Sequence, residues 1–588
     1  MSNVHTIILG AIDFILNEKQ TIRSEADISQ AIRSSLPVGH KLVGKELAEW
    51  YAFIAVEGSR YEGDNWNIYY GPSFIRFIDG TVKPSFTLQD ISEDMIIYWE
   101  TRAKECSHPI LIARYAGLVH SFKKKVTGSK TDLNIITLYL ENLLKSVLDG
   151  YLTNPLICYL KLERLLDLSS SLKLDVIFKD SIDAVRSLEH KYSEQSKPGT
   201  WVKSFELLID KKFNIPDELR NEIINELAYR FNASLVADKD GKFDLSGSEA
   251  AFSKLAPYFK KHKFPENLKN LLIAMSNQYW AVAKIANPLM ANHYYEKLLN
   301  IADEFGDKSM LPPIYKAIQN NNPKILDEMK PLSIEIDISM EMVNNVVEET
   351  LSGDSYTILS KLAYGFIFNP HDVFTSVDSN SNLASIITRT LHDNTGRKVA
   401  TIKPIDKDKE GQVINYYGTF LKASSPVIHY PLRKGIERGI ITMDNIMDFI
   451  KQSYTIAPSK YPIIEKALAA YLKGDYIISL HLMIPQIEAA CLAILENAGE
   501  ATLTGAKKND GMNWRILDNI LNDKVFIDVV GVDVSIYFRA IFTSNVGWNL
   551  RNLICHGITE EGHFSELYAD RVFLALLYFG LHQTILEK

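Results

Sequence analysis

The residues of this sequence best suited to chemistry lie near its C-terminus, where Arg551 and Asn552 are followed by His556 and Gly557. At about 100° per residue, Asn552 and His556 lie one turn apart on the same face of a helix, so the Asn552 amide is expected to orient the imidazole. Arg551 and His556 are five positions apart, about 140° around the helix, and converge only if arginine uses its length or the helix ends near His556. Gly557 favours such an ending.

An arginine and a histidine beside a polar loop suit the cleavage of phosphodiesters. The guanidinium group can contact two phosphate oxygens at once, and an imidazole exchanges protons near neutral pH. Requiring Asn directly after Arg and Gly directly after His leaves only the copy at 551–557. The alternative interpretation is a helix C-terminus with favourable cationic groups. Spacing alone is weak evidence, because Arg and His separated by five or six residues also occur at Arg33/His40, Arg102/His108 and Arg114/His120.

Glu488 and His481 are the supporting residues predicted for this site. They are seven positions apart, on the same stripe of a helix that is otherwise apolar. A carboxylate in such surroundings needs a partner, and Arg551 is the predicted one. The alternatives are that Glu488 reaches solvent or pairs with another base.

A C-terminal region, 461–588, is predicted to position these residues with four helices. Gly474 and Asp475 are typical of a helix start, and a long apolar helix is predicted over Tyr476–Asn497. Four helices with short connections suffice for a bundle whose site lies between facing helices. The other three segments are predicted near 514–521, 534–542 and 565–586.

The rest of the chain is predicted to be mainly α-helical, in two regions. Apolar residues recur at helical spacing through 1–350, which predicts a helical array. A middle helical region follows over 351–460. Its pattern is broken near 380–425, where a small irregular or mixed insert is expected, with a short strand over 397–405. Examples of the helical segments in the array are 110–122, 133–148, 156–168 and 219–231.

The composition excludes a protein that coats nucleic acid through bulk positive charge. The 588 residues include 64 Lys and Arg against 72 Asp and Glu, which leaves a net charge of −8. Any contact with RNA must therefore be local, and Lys507 with Lys508 is a weak candidate for it.

Cysteine usage and hydropathy predict a cytoplasmic location. The four cysteines are scattered in apolar surroundings without a Cys-x-x-Cys pair, as expected of reduced core thiols. No uncharged apolar run approaches the length that crosses a bilayer, so no membrane contact is expected. The sequence has neither a Gly-rich phosphate loop nor clustered Cys and His ligands, so neither a metal nor a cofactor is expected. The cysteines are Cys106, Cys158, Cys491 and Cys555.

Two sequence blocks near the C-terminus resemble a known family. They are LHLMIPQIE at 480–488 and NLRNLICHG at 549–557. Together they resemble the family catalogued as domain of unknown function four-two-zero-nine, which has an RNxxxHG signature and is placed among the HEPN domains. The resemblance covers the chain from about residue 474 onward. A weaker resemblance, over 108–116, is to the helical region that often precedes this domain.

The resemblance implies metal-independent RNA cleavage by a HEPN homodimer that pairs through the C-terminal domain. In that mechanism Arg551 would stabilise the phosphorane, His556 would serve as acid or base, and Asn552 would be a polar helper. The resemblance also implies a regulated effector, as in bacterial antiviral defence, whose N-terminal helices meet a protein trigger or inhibitor. Two rival functions stay open: a HEPN module that binds RNA or a nucleotide without cutting, and a helical scaffold for another protein.

Overall fold

The computed structural model shows a mainly α-helical chain, which confirms the predicted fold class. The chain is 70% helical, and its strands are short. In the part that is described, every sheet consists of two antiparallel strands. The structure describes residues 4–19, 21–37, 39–58, 66–76, 81–237, 241, 243–330, 338–370, 372, 375, 383–505, 511–559 and 561–583.

The chain folds into two compact units. The first consists of Met1–Asn287 with His293–Lys308, and the second of Pro288–Asn292 with Ser309–Lys588. The second unit therefore contains both the predicted middle region and the predicted C-terminal region.

Up to residue 330 α-helices make up most of the chain, as predicted for a helical array. The helix predicted over 133–148 has these bounds in the structure, and the other three predicted segments lie inside longer helices. Two short strand pairs, Val56–Glu57 with Tyr70–Gly71 and Phe74–Arg76 with Val82–Pro84, interrupt the array. The α-helices are Val4–Lys19, Ala26–Ser35, Gly44–Ile54, Glu93–Glu105, Pro109–Thr127, Leu133–Leu148, Pro155–Ser171, Asp175–Tyr192, Asp217–Ser234, Leu245–Lys261, Pro265–Ile285, Pro288–Phe305 and Leu311–Glu328, and Phe205–Asp210 is a π-helix.

The helix Pro109–Thr127 shows how the sequence sets these bounds. His108 is its N-cap, and the ring accepts a hydrogen bond from the backbone N–H of Ile110. Pro109 occupies the first helical position, where a missing N–H costs nothing. Gly128 ends the helix with a φ of 74°, which a residue with a side chain rarely adopts.

From residue 338 onward helices again dominate, with a small hairpin near residue 395. The hairpin pairs Arg389–His392 with Lys398–Ile402, so a strand is present where 397–405 predicted one. The predicted insert near 380–425 is mixed as far as this hairpin and becomes helical from Lys409. The α-helices are Met340–Thr350, Ser355–Tyr364, Leu383–Ile386, Lys409–Ala423, Ser425–Glu437, Met443–Lys451, Tyr461–Leu472, Tyr476–Asn497, Leu517–Leu521, Lys524–Val530, Val532–Phe538, Leu550–Cys555 and Glu566–Tyr578.

One hydrophobic core runs through the second unit, from Val343 to Phe579. The helix Tyr476–Asn497, called the central helix below, has the predicted bounds and starts as predicted, because the Asp475 side chain accepts a hydrogen bond from the backbone N–H of Ile478. The predicted boundary near 460 lies inside this core. Eight residues of the central helix belong to this core: Leu480, Met483, Ile484, Ile487, Ala490, Cys491, Ile494 and Leu495.

The central helix is also the one helix, among those described, that is long and apolar enough to cross a membrane. Its burial among other helices of the second unit is typical of a core helix.

The helix predicted near 514–521 starts later than predicted. Met512–Trp514 is a strand that pairs with Leu503–Gly505, and the helix covers only Leu517–Leu521. The local pattern of apolar residues does not distinguish the strand from the first turn of a helix.

The segment predicted near 534–542 is helical, but it is not a single α-helix. It lies in the helix Val532–Phe538 and in a π-helix over Arg539–Thr543 that follows. A further short helix, Lys524–Val530, precedes it, and the two α-helices meet at Gly531, whose φ of 89° breaks the helical path. The C-terminal region thus has more and shorter helices than the predicted four, and a HEPN-like arrangement stays a prediction.

Candidate active site

Arg551 and Glu488 form a bidentate ion pair in the second unit. Glu488 lies on the central helix, and Arg551 lies on the six-residue helix Leu550–Cys555, called the motif helix below. Arg551 Nε donates to Glu488 Oε2 at 2.9 Å, and Nη2 donates to Oε1 at 3.0 Å. The side chains are 21% and 19% exposed, so water screens the pair only in part. The prediction that Glu488 pairs with Arg551 is therefore confirmed.

The ion pair leaves part of the Arg551 guanidinium group available. Nη1 donates to Asn552 Oδ1 at 3.1 Å, so three of the five N–H donors are used. The remaining two have no acceptor among the described residues. The hydrogen bonds to Glu488 raise the pKa of Arg551 above its ordinary value, so the group stays cationic. A cation with two unused donors suits the binding of phosphate oxygens.

Asn552 supports Arg551 instead of the imidazole that it was predicted to orient. Its Oδ1 accepts from Arg551, and its Nδ2 donates to Asn549 Oδ1 at 2.7 Å. Asn549 in turn donates to Asn545 Oδ1 at 2.7 Å. Asn549 precedes the motif helix with a φ of 53°, in the left-handed region, and lies three positions before Asn552. That local geometry brings the two amides together and explains why the predicted Asn552–His556 contact does not form.

Close backbone packing holds the loop before the motif helix. The backbone N–H of Trp548 donates to the carbonyl of Ala540 at 2.6 Å, and a side chain at Gly547 would collide with that same carbonyl. The Trp548 indole donates to the carbonyl of Gly418 at 2.9 Å. Trp548 therefore anchors the loop to the helix Lys409–Ala423, and the motif helix starts from a fixed point.

His556 lies where the motif helix ends. It is the C-cap residue, followed by Gly557 with a φ of 63°. The backbone N–H of Ile558 donates to Leu553 and that of Gly557 donates to Ile554, which is the Schellman arrangement of a helix end. The predicted ending beside Gly557 is confirmed. The imidazole is exposed, and it has no hydrogen-bond partner in the described part of the chain.

His481 is a second imidazole with a free nitrogen. Its Nδ1 contacts the carbonyl of Ile477 at 2.8 Å, and a carbonyl only accepts, so Nδ1 carries the proton. The ring stacks on Phe564, with centroids 5.2 Å apart and planes inclined by 17°. These two contacts fix the ring and leave Nε2 available as a proton acceptor.

The path of the chain relates His556 to His481. Arg551 contacts Glu488, and Phe564 contacts His481, which lies about two helical turns before Glu488 on the central helix. The chain therefore contacts the central helix on both sides of His556, through Arg551 before it and through Phe564 after it.

The cysteines differ from the prediction at two positions. Cys158 and Cys491 are buried as predicted, but Cys106 is half-buried and Cys555 is exposed. Cys555 lies one turn after Arg551, where the end of the short motif helix faces outward. All four are free thiols. Although Cys555 is exposed, the surrounding protein removes part of the water around its sulfur, which raises the pKa of this thiol and keeps it protonated near neutral pH.

Two further predictions concern lysines and metal ions. Lys507 and Lys508 lie outside the described residues. Within the described ranges, no three or more His, Cys, Asp and Glu side chains are grouped as they would be around a metal ion.

A second polar cluster, around His429, was not predicted from the sequence. Asp570 is buried, and it accepts hydrogen bonds from Tyr471 at 2.6 Å and from His429 Nδ1 at 2.9 Å. His429 Nε2 lies 3.5 Å from Glu566, beside a pocket of about 440 Å³. The hydrogen bond to Asp570 raises the pKa of His429. His429 and Asp570 are 141 positions apart, so no local pattern connects them.

Comparisons of the chain with protein-family models, with curated proteins and with solved structures found no match.

Proposed function

We propose that this chain is an endoribonuclease that cleaves RNA without a metal ion, with Arg551 and His556 as its catalytic residues. The observation that carries the proposal is the environment of Arg551. Glu488 and Asn552 hold its guanidinium group in place, and two of its N–H donors stay unused. The motif helix, on which Arg551 lies, ends in the exposed imidazole of His556. A preorganised cation and a free proton-transfer group are two of the components that phosphoryl transfer uses, and here one short helix carries both.

The proposed reaction is an internal attack by the ribose 2′-hydroxyl. The 2′-oxygen forms a bond to phosphorus while the bond from phosphorus to the 5′-oxygen breaks, which leaves a 2′,3′-cyclic phosphate and a 5′-hydroxyl. A base removes the proton of the 2′-hydroxyl, and an acid protonates the leaving 5′-oxygen. Arg551 stabilises the negative charge that develops on the non-bridging oxygens. Charge stabilisation and both proton transfers are then assigned to protein groups.

His556 and His481 are proposed as the groups that move these protons. His556 has both nitrogens available, and His481 presents Nε2 with its ring fixed by Ile477 and Phe564. Neutral His481, with its proton on Nδ1, suits the role of base. His556, once protonated, suits the role of acid.

The biological setting of the proposal follows the sequence resemblance. We propose a cytoplasmic homodimer that cuts RNA in antiviral defence, in which the first unit responds to a protein trigger or inhibitor. Exposed apolar side chains flank the site, because Ile477, Ile478 and Ile558 are each about half exposed. Apolar residues in such positions are typical of a surface that a second chain covers.

One observation favours the rival function, a module that binds RNA without cutting it. The negative charge of the Glu488 carboxylate offsets that of the Arg551 guanidinium group, which leaves less net positive charge to stabilise the charge of a transition state. Cleavage and binding must therefore be measured separately on the same variants.

The deciding experiment compares the full chain with two variants, His556→Ala and Arg551→Ala, on a labelled RNA with EDTA present. Each variant is expected to cleave about 10²- to 10⁴-fold more slowly than the wild type. His190→Ala, at an exposed histidine of the first unit, and Arg438→Ala, which removes an exposed ion pair with Glu348, serve as matched controls. Product ends are identified by their resistance to phosphatase before acid treatment opens the cyclic phosphate.

Three outcomes are distinguishable. Slow cleavage in both variants with RNA binding retained supports the proposal. Binding by the wild type without any cleavage supports the rival module. Equal cleavage by the wild type and by both variants would place the activity elsewhere.

A further inference from the structure

A polar pocket in the first unit contains several buried hydrogen-bonding atoms without partners. Its volume is about 410 Å³, and it is lined by side chains from two helices and from the segment before the strand Tyr70–Gly71. That volume lies in the range of small-molecule sites, roughly 300–1,000 Å³. The lining residues are Asn67, Ile68, Tyr69, His120, Ser121 and Arg164.

Arg164 is a cation without an ion pair among the described residues. Its guanidinium carbon lies 4.1 Å from the centroid of the Tyr69 ring, so the flat face of the group rests on the aromatic ring. Stacking uses the face and leaves the N–H edges free for hydrogen bonds. Nε is buried and has no hydrogen-bond partner. Burial raises the pKa of Tyr69, which stays neutral and supplies no counter-charge.

Two buried carboxylates of the same unit are committed to other cations. Glu25 and Glu57 are shared between buried Arg114 and buried Lys161: Lys161 Nζ lies 2.8 Å from Glu25 and 3.1 Å from Glu57, and Arg114 Nη1 lies 3.1 and 3.4 Å from the same two side chains. Two carboxylates thus balance two cations, and no carboxylate of the described residues pairs with Arg164. Among the residues that the structure describes, no carboxylate lines the pocket.

His120 and Ser121 add two more hydrogen-bonding atoms to the same pocket. His120 Nδ1 and Ser121 Oγ are both buried without a partner. Burial, together with the nearby Arg164, lowers the pKa of His120 to about 4, so the ring is neutral near pH 7 and carries one proton. A neutral imidazole and a hydroxyl can each donate one hydrogen bond.

We propose that this pocket binds the phosphate group of a small phosphate monoester. Arg164 supplies the charge and hydrogen bonds from its edge, and His120 and Ser121 donate to further phosphate oxygens. Buried polar atoms without partners are rare in native proteins. Three of them line this pocket, and one of the three belongs to a cation that has no ion pair among the described residues, which points to an anion as the missing partner. The site lies in the first unit and does not depend on the proposed ribonuclease activity.

The test is calorimetric titration of the full chain with inorganic phosphate and with methyl phosphate, against dimethyl phosphate and against sodium chloride at equal ionic strength. Saturable binding of the first two ligands is expected, with dimethyl phosphate at least about tenfold weaker because it lacks the second charge. Equal binding of dimethyl phosphate would reject a monoester site in favour of a contact for phosphodiesters such as an RNA backbone. No saturable binding of any phosphate would mean that only water fills the pocket.

One variant, with a matched control, tests whether Arg164 binds the phosphate. Arg164→Gln should weaken phosphate binding at least about tenfold, as expected for the loss of a charge-assisted hydrogen bond. Arg220→Gln, which removes an arginine that already pairs with Asp217, should bind like the wild type. Unchanged binding by Arg164→Gln overturns the proposal.

Ser121→Ala decides the question if Arg164→Gln fails to fold. It removes a buried hydroxyl that has no partner, so without phosphate the melting temperature should stay the same or rise. With phosphate, binding should weaken about threefold or more. A variant that loses stability but binds phosphate as the wild type does would show that the hydroxyl serves the fold, and would overturn the assignment.

Discussion

Glu488 accepts both the Nε and the Nη2 hydrogens of Arg551, at 2.9 and 3.0 Å, and so connects two segments that are 63 positions apart in the chain. The bidentate contact fixes the plane of the guanidinium group as well as its position. Any ligand of the two unused donors must therefore approach from the edge that faces away from Glu488. The geometry of the site depends on this carboxylate even though it faces no substrate in the proposed mechanism.

Glu488→Gln is predicted to lower turnover more than it lowers RNA affinity. An amide cannot accept two charge-assisted hydrogen bonds, so the guanidinium group loses its fixed plane while it keeps its charge. The cleavage rate should fall about tenfold to a hundredfold, in line with the loss of a hydrogen bond to a charged group. RNA affinity should stay unchanged or increase, because a neighbouring negative charge is removed. Single-turnover cleavage and anisotropy titration measure the two quantities.

The matched control for that prediction is Glu348→Gln, which breaks the exposed pair with Arg438 in the same unit. Exposed ion pairs contribute little to stability, so this variant should resemble the wild type in both measurements. If Glu488→Gln instead lowers RNA affinity and turnover by the same factor, its role is to hold the fold.

Replacement of Asn549 by a residue other than glycine is predicted to strain the backbone. The φ of Asn549 is 53°, in the left-handed region, where alanine costs about 1–2 kcal/mol. Asn549→Ala should therefore lower the melting temperature more than Asn549→Gly. Both variants remove the amide that supports Asn552, so both should lose cleavage activity to a similar extent. Differential scanning calorimetry and the cleavage assay separate the two effects, and equal melting temperatures for the two variants would contradict the strain argument.

The sequence contains most of the information for elements whose bounds depend on local chemistry. The central helix has its predicted bounds because Asp475 caps it and its apolar residues continue without a break. Glu488 was paired correctly with Arg551, since an arginine from a neighbouring helix is the natural partner of a carboxylate on an apolar helix. The helix end at Gly557 follows from a glycine that accepts a positive φ.

Contacts that depend on tertiary packing were not predictable. Asn552 lies on the same helical face as His556, yet it bonds to Arg551 and Asn549, because the left-handed φ of Asn549 brings its amide closer. The same limit applies to His429, whose partner Asp570 comes from a distant helix and is recognisable only in the folded chain.

The His429–Asp570 contact predicts that the second unit becomes less stable as the pH rises through the neutral range. The hydrogen bond to Asp570 raises the pKa of His429 above 6.5 in the folded state. A histidine whose pKa is higher in the folded state than in the unfolded state stabilises the fold. This contribution is complete at a pH below the pKa of the unfolded state, and it is lost as the pH rises through the pKa of the folded state. The urea midpoint should therefore decline from about pH 6 to pH 8, and the decline should be smaller in His429→Asn. An equal decline in both proteins would assign it to other groups.

The active species is predicted to be a homodimer whose cleft contains two copies of the motif. One motif supplies a single cation with two unused donors and one imidazole at the helix end, and a two-fold axis beside it would double both. The apolar residues Ile477, Ile478 and Ile558 offer a surface for this contact, whereas the helix Glu566–Tyr578 is buried within its own unit from Ala569 onward and offers none. Light scattering of the full chain should give twice the chain mass. Wild-type chains and Arg551→Ala/His556→Ala chains are then mixed in equal amounts, and fluorescence energy transfer between labelled chains proves that subunits have exchanged. The mixture should retain about one quarter of the activity of the same total amount of wild-type protein, because only dimers with two intact motifs cleave. Retention of about one half would show that each motif acts alone, and a fully active monomer would remove the need for a shared cleft.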